Sequence, residues 1–186
     1  TTPGDIADVL VAMNPAALKA NKNFIKKGGS IIVNIDSFTK RDFDKAGYES
    51  SPLDDNSFEG YNIIQAPISK LTRETLKDSK LDGKSIGRSK NMFALGIVYW
   101  MFNRPMEQTE TFLKKKFSKK PELVEANIKV MHAGYNFADT IEALPSSYTV
   151  LSAKLPKGTY RNVMGNQALS WGFLAAAENA KKELFL

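Results

Sequence analysis

The chain contains no cysteine, a single histidine (His132) and no long hydrophobic run. Without cysteine, it forms no disulfide bonds and supplies no thiolate ligands to zinc or to iron–sulfur clusters. One histidine leaves no histidine cluster for a metal site or a proton relay. The absence of cysteine is compatible with a reducing cytoplasm, and we expect a cytoplasmic protein.

The sequence also lacks a segment long enough to cross a membrane. Its longest apolar run covers residues 92–102, whereas a helix needs roughly 20 residues to span a bilayer. We therefore expect this run to form a buried helix, and we expect no membrane partner. Gly96, within the run, predicts close contact with another backbone.

Positive charge is in excess and is locally concentrated. The net charge is +6, and five lysines fall within residues 114–120. A solvated helix end explains this basic turn most simply, and docking of an acidic molecule is the alternative. No helix-turn-helix or zinc-finger spacing is present, and no aromatic residues alternate with basic ones, so we do not expect nucleic acid binding.

The first third of the sequence alternates short apolar runs with helical segments. We predict strands at residues 6–13, 30–35 and 61–66 and helices at residues 16–26 and 38–46, with Gly28–Gly29 ending the first helix. This order, with its short connections, predicts a parallel α/β sheet.

The rest of the sequence is mainly helical. We predict helices at residues 68–77, 89–102, 106–117 and 121–144, a strand at 147–151, a linker at 154–161, a helix from Gly165 that Asn166 caps, and a strand beginning at 184–186.

Few side chains suggest catalysis. Asp54 and Asp55 form an acidic pair in a polar loop without an evident third ligand, so solvation explains them better than metal binding. His132 lies within a predicted helix, where a structural role is the simpler interpretation. We predict no catalytic residue and no metal ligand in this chain.

Two positions suit ligand binding as well as local structure. Asn14 follows the first strand, where open α/β sheets bind ligands, and capping of the next helix explains it equally well. Arg88 and Lys90 lie at the predicted start of the helix at residues 89–102, where cations and the helix dipole favour a phosphate. Simple exposure to solvent is the alternative for these two cations.

Several segments resemble, in order, the gamma domain and the start of the alpha domain of 2-oxoacid:acceptor (ferredoxin) oxidoreductases. The matches to the family patterns are residues 8–18 (DVLVAMNPAAL), 28–33 (GGSIIV), 90–96 (KNMFALG), 125–127 with 133–135 (EAN and AGY), and 165–172 (GNQALSWG). The resemblance covers nearly the whole chain, and the order of the segments makes it specific.

The resemblance implies a three-layer α/β/α gamma domain of the pyruvate:ferredoxin oxidoreductase type, with a mostly parallel sheet, at residues 1–155. Residues 156–186 would be a linker and the first helix of the thiamine-type alpha domain. The family patterns G-x-G-G-Q-G and R-G-G, which precede these segments, and Y-P-I-T-P, which follows them, are absent. We therefore expect an N-terminally truncated gamma domain without its first strand and Gly-rich turn, and a fragment that is inactive alone.

The family's reaction is the oxidative decarboxylation of a 2-oxoacid on thiamine pyrophosphate. The acyl group passes to coenzyme A, and the electrons pass through iron–sulfur clusters to ferredoxin or a similar acceptor. The resemblance implies that thiamine pyrophosphate, Mg and the clusters lie mainly on other domains or subunits. The order gamma–alpha favours 2-oxoglutarate, with 2-oxoisovalerate and pyruvate left open.

In such an enzyme this region would be structural and would help to enclose coenzyme A. Gly165, Asn166 and Asn14 are the candidate cofactor-binding residues, with helix entry and capping as their simpler roles. The implied partners are a thiamine-binding beta subunit, a ferredoxin-like subunit and the electron acceptor, in an oligomer. The alternative function is a non-catalytic interaction module that docks an acidic partner through the basic turn at residues 114–120.

Overall fold

A computed structural model describes residues 6–143, 148–151 and 154–183. The chain divides into two compact units between residues 150 and 151. In the described part, the elements of the first unit are β1 (Ala7–Ala12), α1 (Pro15–Asn21), β2 (Ile25–Asn34), α2 (Lys40–Ala46), β3 (Asn62–Ala66), α3 (Ile68–Thr75), α4 (Gly83–Met101), α5 (Glu107–Lys116) and α6 (Pro121–Thr140). The second unit contains α7 (Gly165–Ala180).

The three strands form one parallel sheet in the order β1–β2–β3. Ala12 pairs with Val33, and Asn34 pairs with Ala66, so the carboxyl ends of the strands lie side by side. The predicted α/β class and parallel sheet are confirmed.

Helices cover both faces of this sheet. Ile32 on β2 belongs to the core cluster that contains residues of α3, α4 and α6. Its neighbours Ile31 and Val33 belong to a second cluster with Leu18 of α1 and Phe58 of the loop after α2. Successive side chains of a strand point to opposite faces, so a strand with both faces covered reads as a continuous apolar run. The result is the predicted α/β/α layering.

The pair Gly28–Gly29 lies inside β2, and the prediction that it ends a helix is wrong. The helix α1 stops at Asn21, and β2 already begins at Ile25. The register slips between Ala7 and Val9 of β1, and Gly28 takes up the slip with φ +75°. A Cβ on Gly29 would come within 2.8 Å of the carbonyl oxygen of Asp8. Glycine is required here by a bulge, which only the pairing of two distant strands creates.

Helix α4 begins at Gly83 rather than at the predicted Ser89 because Asp82 caps it. The carboxylate oxygen Oδ1 of Asp82 accepts the backbone N–H groups of Lys84 and Ser85, at 2.8 and 2.9 Å. These hydrogen bonds satisfy two of the N–H groups that a helix start leaves unpaired.

Helices α4 and α6 pack closely against each other. A Cβ on Gly96 would overlap the backbone of α6 at Met131, which confirms the predicted backbone contact. The rings of Phe93 and Phe137 lie 5.7 Å apart, and the indole Nε1 of Trp100 donates to Asp139 at 2.9 Å. None of the helices in the described ranges combines the length and apolarity needed to span a bilayer.

The predicted strand at residues 147–151 is absent from residues 148–151, the part of it that the structure describes. The Tyr148 N–H donates to the carbonyl oxygen of Met101 at 2.7 Å, and its ring lies 5.7 Å from that of Phe102. A contact with the end of α4 takes the place of sheet pairing. The predicted extension of α6 to Leu144 is wrong, because the helix ends at Thr140 and Glu142 adopts a left-handed φ of +45°. The predicted strand at 184–186 lies outside the described residues.

The second unit is a linker followed by α7. The helix begins at Gly165, with extended backbone at Met164, so Asn166 lies in its first turn. The prediction that Asn166 caps the helix is therefore wrong, because a capping residue must precede the first turn. The Gln167 side chain instead accepts the Met164 N–H at 3.4 Å.

Candidate functional site

The carboxyl edge of the sheet is the natural place to look for a site. Ligands of open α/β sheets bind beyond the carboxyl ends of the strands. The polar residues that follow these ends are Asn14 after β1, Asn34 and Asp36 at the end of β2, and Ser69 after β3. Their hydrogen bonds separate those with a structural role from those that are open to a ligand.

Asn34 is a structural latch. Its side chain is fully buried, and its amide nitrogen donates to the hydroxyls of Ser37 at 3.0 Å and Ser69 at 2.9 Å. Its carbonyl oxygen accepts the Ser69 N–H at 3.2 Å. Because all of these groups are engaged, Asn34 ties the end of β2 to the start of α3.

Asp36 reinforces the same connection. Its Oδ2 accepts the backbone N–H of Lys70 in the first turn of α3, at 2.6 Å. A carboxylate in this position is stabilised by the positive end of the helix dipole. Sequence reasoning missed both Asn34 and Asp36, although polar residues at the end of an apolar strand were the available signal.

Asn14 has one group engaged and one open. Its Oδ1 accepts the Ala17 N–H at 2.8 Å and so caps α1, with Pro15 in the first helical position. The residue is exposed, and its amide nitrogen makes no hydrogen bond within the described part of the chain. Asn14 is therefore both a cap and an available donor.

A groove of about 250 Å³ lies beside β1 and α4. Val11 of β1, Met13 just after β1, and Leu95 and Val98 of α4 give it apolar walls, and the exposed Asn91 lies among them. In the described residues, β1 pairs on one side only, with β2. Asn91 was not among the residues predicted from the sequence to bind a ligand. Its position in the family segment KNMFALG was the available signal.

Comparison with known proteins decides the family. The sequence pattern of the family described as pyruvate ferredoxin/flavodoxin oxidoreductase matches residues 1–137. The chain is 45% identical over 182 residues to the 2-oxoglutarate oxidoreductase subunit KorA of Mycobacterium tuberculosis, which covers 96% of this chain and 27% of that subunit. The chain belongs to the pyruvate ferredoxin/flavodoxin oxidoreductase family. The predicted family is thereby confirmed.

A solved structure supports the same assignment at the level of the fold. The 2-oxoglutarate:ferredoxin oxidoreductase from Magnetococcus marinus, with 2-oxoglutarate, coenzyme A and succinyl-CoA bound, superposes with a TM-score of 0.58 at 27% identity. The match covers 80% of this chain and 23% of that one. The chain thus spans about a quarter of the length of the relatives that it matches.

The predicted phosphate position beside Arg88 and Lys90 is not a helix start, because α4 already begins at Gly83. The Asp82 carboxylate takes the N–H groups of the first turn, so the helix start is not available to another anion. Arg88 is exposed on the second turn, whereas Lys90 lines a cleft against α3. The structure therefore separates these two cations.

The remaining acidic and imidazole candidates have local roles. Asp54 and Asp55 are exposed, and Asp55 accepts the Ser57 N–H at 3.0 Å. Its hydrogen bonds with Ser57 lower the pKa of the Asp55 carboxyl. His132 and Glu110 contact each other through Nε2 and Oε1 at 2.7 Å and so link α6 to α5. The described residues contain no group of three metal-ligating side chains.

The basic turn at residues 114–120 borders an open cleft of about 530 Å³ between α5 and α6. Lys114 and Lys129 lie at this cleft, and Val124 and Ile128 give it an apolar lining. The relatives are an oxidoreductase subunit and a solved oxidoreductase, so the alternative of a separate docking module is not favoured.

Gly165 and Asn166 open α7 in the second unit and are exposed there. A Cβ on Gly165 would meet no atom within 4 Å. The Asn166 carbonyl oxygen accepts the Ser170 hydroxyl at 2.9 Å, an ordinary contact along a helix. Within this unit, neither residue has a contact that assigns it a role.

Proposed function

We propose that this chain is part of a 2-oxoacid:ferredoxin oxidoreductase that oxidatively decarboxylates 2-oxoglutarate. In this reaction the acid loses CO₂, its acyl carbon bonds to the sulfur of coenzyme A, the thiol proton is released, and two electrons pass to ferredoxin. The observation that carries the proposal is the 45% identity to a 2-oxoglutarate oxidoreductase subunit over 96% of the chain. The fold neighbour, which has coenzyme A and succinyl-CoA bound, supports it.

The redox chemistry would be supplied from outside the described residues. Thiamine pyrophosphate acts as the electron sink in such reactions, and the protein orients it. The described residues offer no cluster of carboxylates for its Mg, and the sequence has no cysteine for an iron–sulfur cluster. We therefore propose that these groups are held elsewhere in a cytoplasmic oligomer, which also contains a thiamine-binding beta subunit and a ferredoxin-like subunit.

Residues 1–155 would act as the gamma domain, and residues 156–186 as the linker and first helix of the alpha domain. Within the gamma domain, we assign contact with coenzyme A to Asn14 and Asn91. Met13, which precedes Asn14, lines the same groove as Asn91, and both asparagines are exposed. Their amides suit the phosphate and amide oxygens of coenzyme A. Gly165 and Asn166 would lie near the cofactor interface of the alpha domain.

The test is reduction of a viologen dye by the full-length parent protein together with its thiamine-binding partner. The assay is run with 2-oxoglutarate, 2-oxoisovalerate or pyruvate, each with and without coenzyme A. We expect reduction that requires coenzyme A and is fastest with 2-oxoglutarate. A folded complex that binds thiamine pyrophosphate and reduces the dye with none of the acids would overturn the proposal, and preference for another acid would correct the substrate.

A further inference from the structure

A second cleft lies at the opposite edge of the sheet from Asn14. Asn14 follows β1 at one edge, whereas α3 follows β3 at the other. Between α3 and the first turns of α4 lies a cavity of about 210 Å³. The lining residues that matter here are Ser69, Thr72 and Arg73 of α3 and Gly83, Gly87 and Lys90 of α4.

Glycines keep one wall of this cleft open. Gly83 and Gly87 lie one turn apart on α4, and a Cβ built on either would meet no atom within 4 Å. Neither glycine has a positive φ, so backbone conformation does not require glycine at these positions. The space that they leave lets a ligand approach the backbone of α4.

Two residues that carry hydroxyl groups, Thr72 and Ser69, line the opposite wall. Thr72 is 1% exposed, and its Oγ1 is buried without a hydrogen-bond partner among the described residues. A buried hydroxyl without a partner is unfavourable, and a ligand oxygen in the cleft would satisfy it. The Ser69 hydroxyl accepts from Asn34 at 2.9 Å, which leaves its own proton available to a ligand.

Two cations complete the lining, one from each helix. Neither Arg73 nor Lys90 has a carboxylate within 4.0 Å in the described part of the chain. The neighbouring carboxylates are engaged elsewhere: Asp36 accepts the Lys70 N–H, Glu74 lies 4.0 Å from the Lys70 ammonium, and Asp82 caps α4.

From this arrangement we propose that the cleft between α3 and α4 binds a phosphate group. Arg73 and Lys90 supply the positive charge, and Thr72 and Ser69 donate hydroxyl hydrogen bonds to the phosphate oxygens. The start of α4 takes no part, because Asp82 occupies it. The phosphate belongs either to coenzyme A or to a separate ligand. The site goes beyond the proposed function, because a separate phosphate ligand would bind whether or not the enzyme turns over.

The test is phosphate binding by the full-length parent complex in a phosphate-free buffer. Inorganic phosphate is titrated and followed by ³¹P line broadening, for the wild type and for the double variant Arg73→Gln/Lys90→Gln. Lys84→Gln/Arg88→Gln is the matched control, because it removes the same charge from exposed positions of α4 outside the cleft. We expect binding to weaken by about tenfold or more in the first variant, whereas the control should stay close to the wild type.

Affinities for coenzyme A and for 3′-dephospho-coenzyme A identify the source of the phosphate. If the 3′-phosphate of coenzyme A occupies the cleft, Arg73→Gln/Lys90→Gln weakens binding of coenzyme A but not of the dephospho form. If a separate ligand occupies it, only binding of inorganic phosphate weakens. Thr72→Val, which keeps the shape of the side chain, should weaken binding of the same ligand that the double variant affects, without a change in net charge.

Equal phosphate binding by the wild type and both double variants would overturn the proposal. Circular dichroism of each complex shows that the variants are folded, and Thr72→Val provides a second comparison if a double variant is not. Because binding is measured without turnover, the two proposals fail separately. If the wild-type complex is inactive with every 2-oxoacid but binds phosphate, and Arg73→Gln/Lys90→Gln abolishes that binding, the phosphate site is supported and the proposed activity is not.

Discussion

Gly96 and Gly134 each lie against the backbone of the other's helix where α4 crosses α6. A Cβ on Gly96 would overlap the carbonyl oxygen of Met131, and a Cβ on Gly134 would overlap that of Phe93. Both glycines belong to segments that match the family patterns, KNMFALG and AGY. The crossing therefore gives a packing reason for glycine at each position.

We expect Gly96→Ala and Gly134→Ala to destabilise the chain by about 1–3 kcal/mol each, because the added methyl group forces the two helices apart. The measurement is the free energy of unfolding from urea denaturation. Gly87→Ala on the same helix is the control, since its methyl group meets no atom within 4 Å. It should raise stability by about 0.5–1 kcal/mol, the usual gain from replacing a helical glycine. Equal effects at positions 87 and 96 would contradict the close crossing.

The cap at the start of α4 should make stability depend on pH. Hydrogen bonds from Ser85 lower the pKa of the Asp82 carboxyl below its ordinary value. The stabilisation is present above the unfolded pKa of about 3.9 and is lost as the pH falls through the lower folded pKa. The measurement is the melting temperature from pH 7 to pH 2 for the wild type and Asp82→Asn, which keeps a capping oxygen but does not titrate. The advantage of the wild type at neutral pH should shrink below pH 4, and a constant difference would argue against the cap's role.

The Asn34 latch should contribute strongly to stability. Replacement by alanine removes all of its side-chain hydrogen bonds and leaves Ser69 without its buried partner. We expect Asn34→Ala to destabilise the chain by about 1–3 kcal/mol, as measured by urea denaturation. Asn62→Ala on the neighbouring strand is the matched control, because Asn62 is only half-buried and makes one long hydrogen bond of 3.4 Å. An equal loss of stability in Asn62→Ala would mean that the hydrogen bonds of Asn34 contribute no more than that single long hydrogen bond.

The two groups of Asn14 can be separated by substitution. Asn14→Ser keeps a capping oxygen and removes the amide, whereas Asn14→Ala removes both. We expect both variants of the full-length complex to raise the KM for coenzyme A by about three- to tenfold, because a donor to coenzyme A is lost. Only Asn14→Ala should also cost about 1 kcal/mol of stability, from the lost cap. An unchanged KM in Asn14→Ser would leave Asn14 as a cap alone.

The parts of the fold that follow from local patterns were predictable. The apolar runs around Ile31 and Ile63 predict buried parallel strands, and Gly96 in an apolar helix predicts a backbone contact. Such signals depend on residues that are near each other in sequence. The family segments were recognisable for the same reason, since each occupies one element of the fold.

The features that distant residues create were not predictable. Gly28–Gly29 has the appearance of a helix end, and only the pairing of β2 with β1, where the register shifts between Ala7 and Val9, makes it a bulge. Asn34 reveals its role only through Ser69 on α3. The cleft between α3 and α4 depends on how two helices meet, so the sequence pairs Lys90 with its neighbour Arg88 rather than with Arg73. Asp82 differs from these cases, because an acidic residue before Gly83 is a capping signal that the local sequence itself carries.

The hydrogen bond from the Ser69 amide to Asn34 also bears on the order in which the fold forms. It joins residues 35 positions apart in the chain, so it forms only after β2 and β3 have come together. Contacts of high sequence separation must overcome the entropy of loop closure and tend to form late in folding. The Ser69 amide therefore reports on this late step, and its exchange with solvent deuterium measures how often the end of the sheet opens in the native protein.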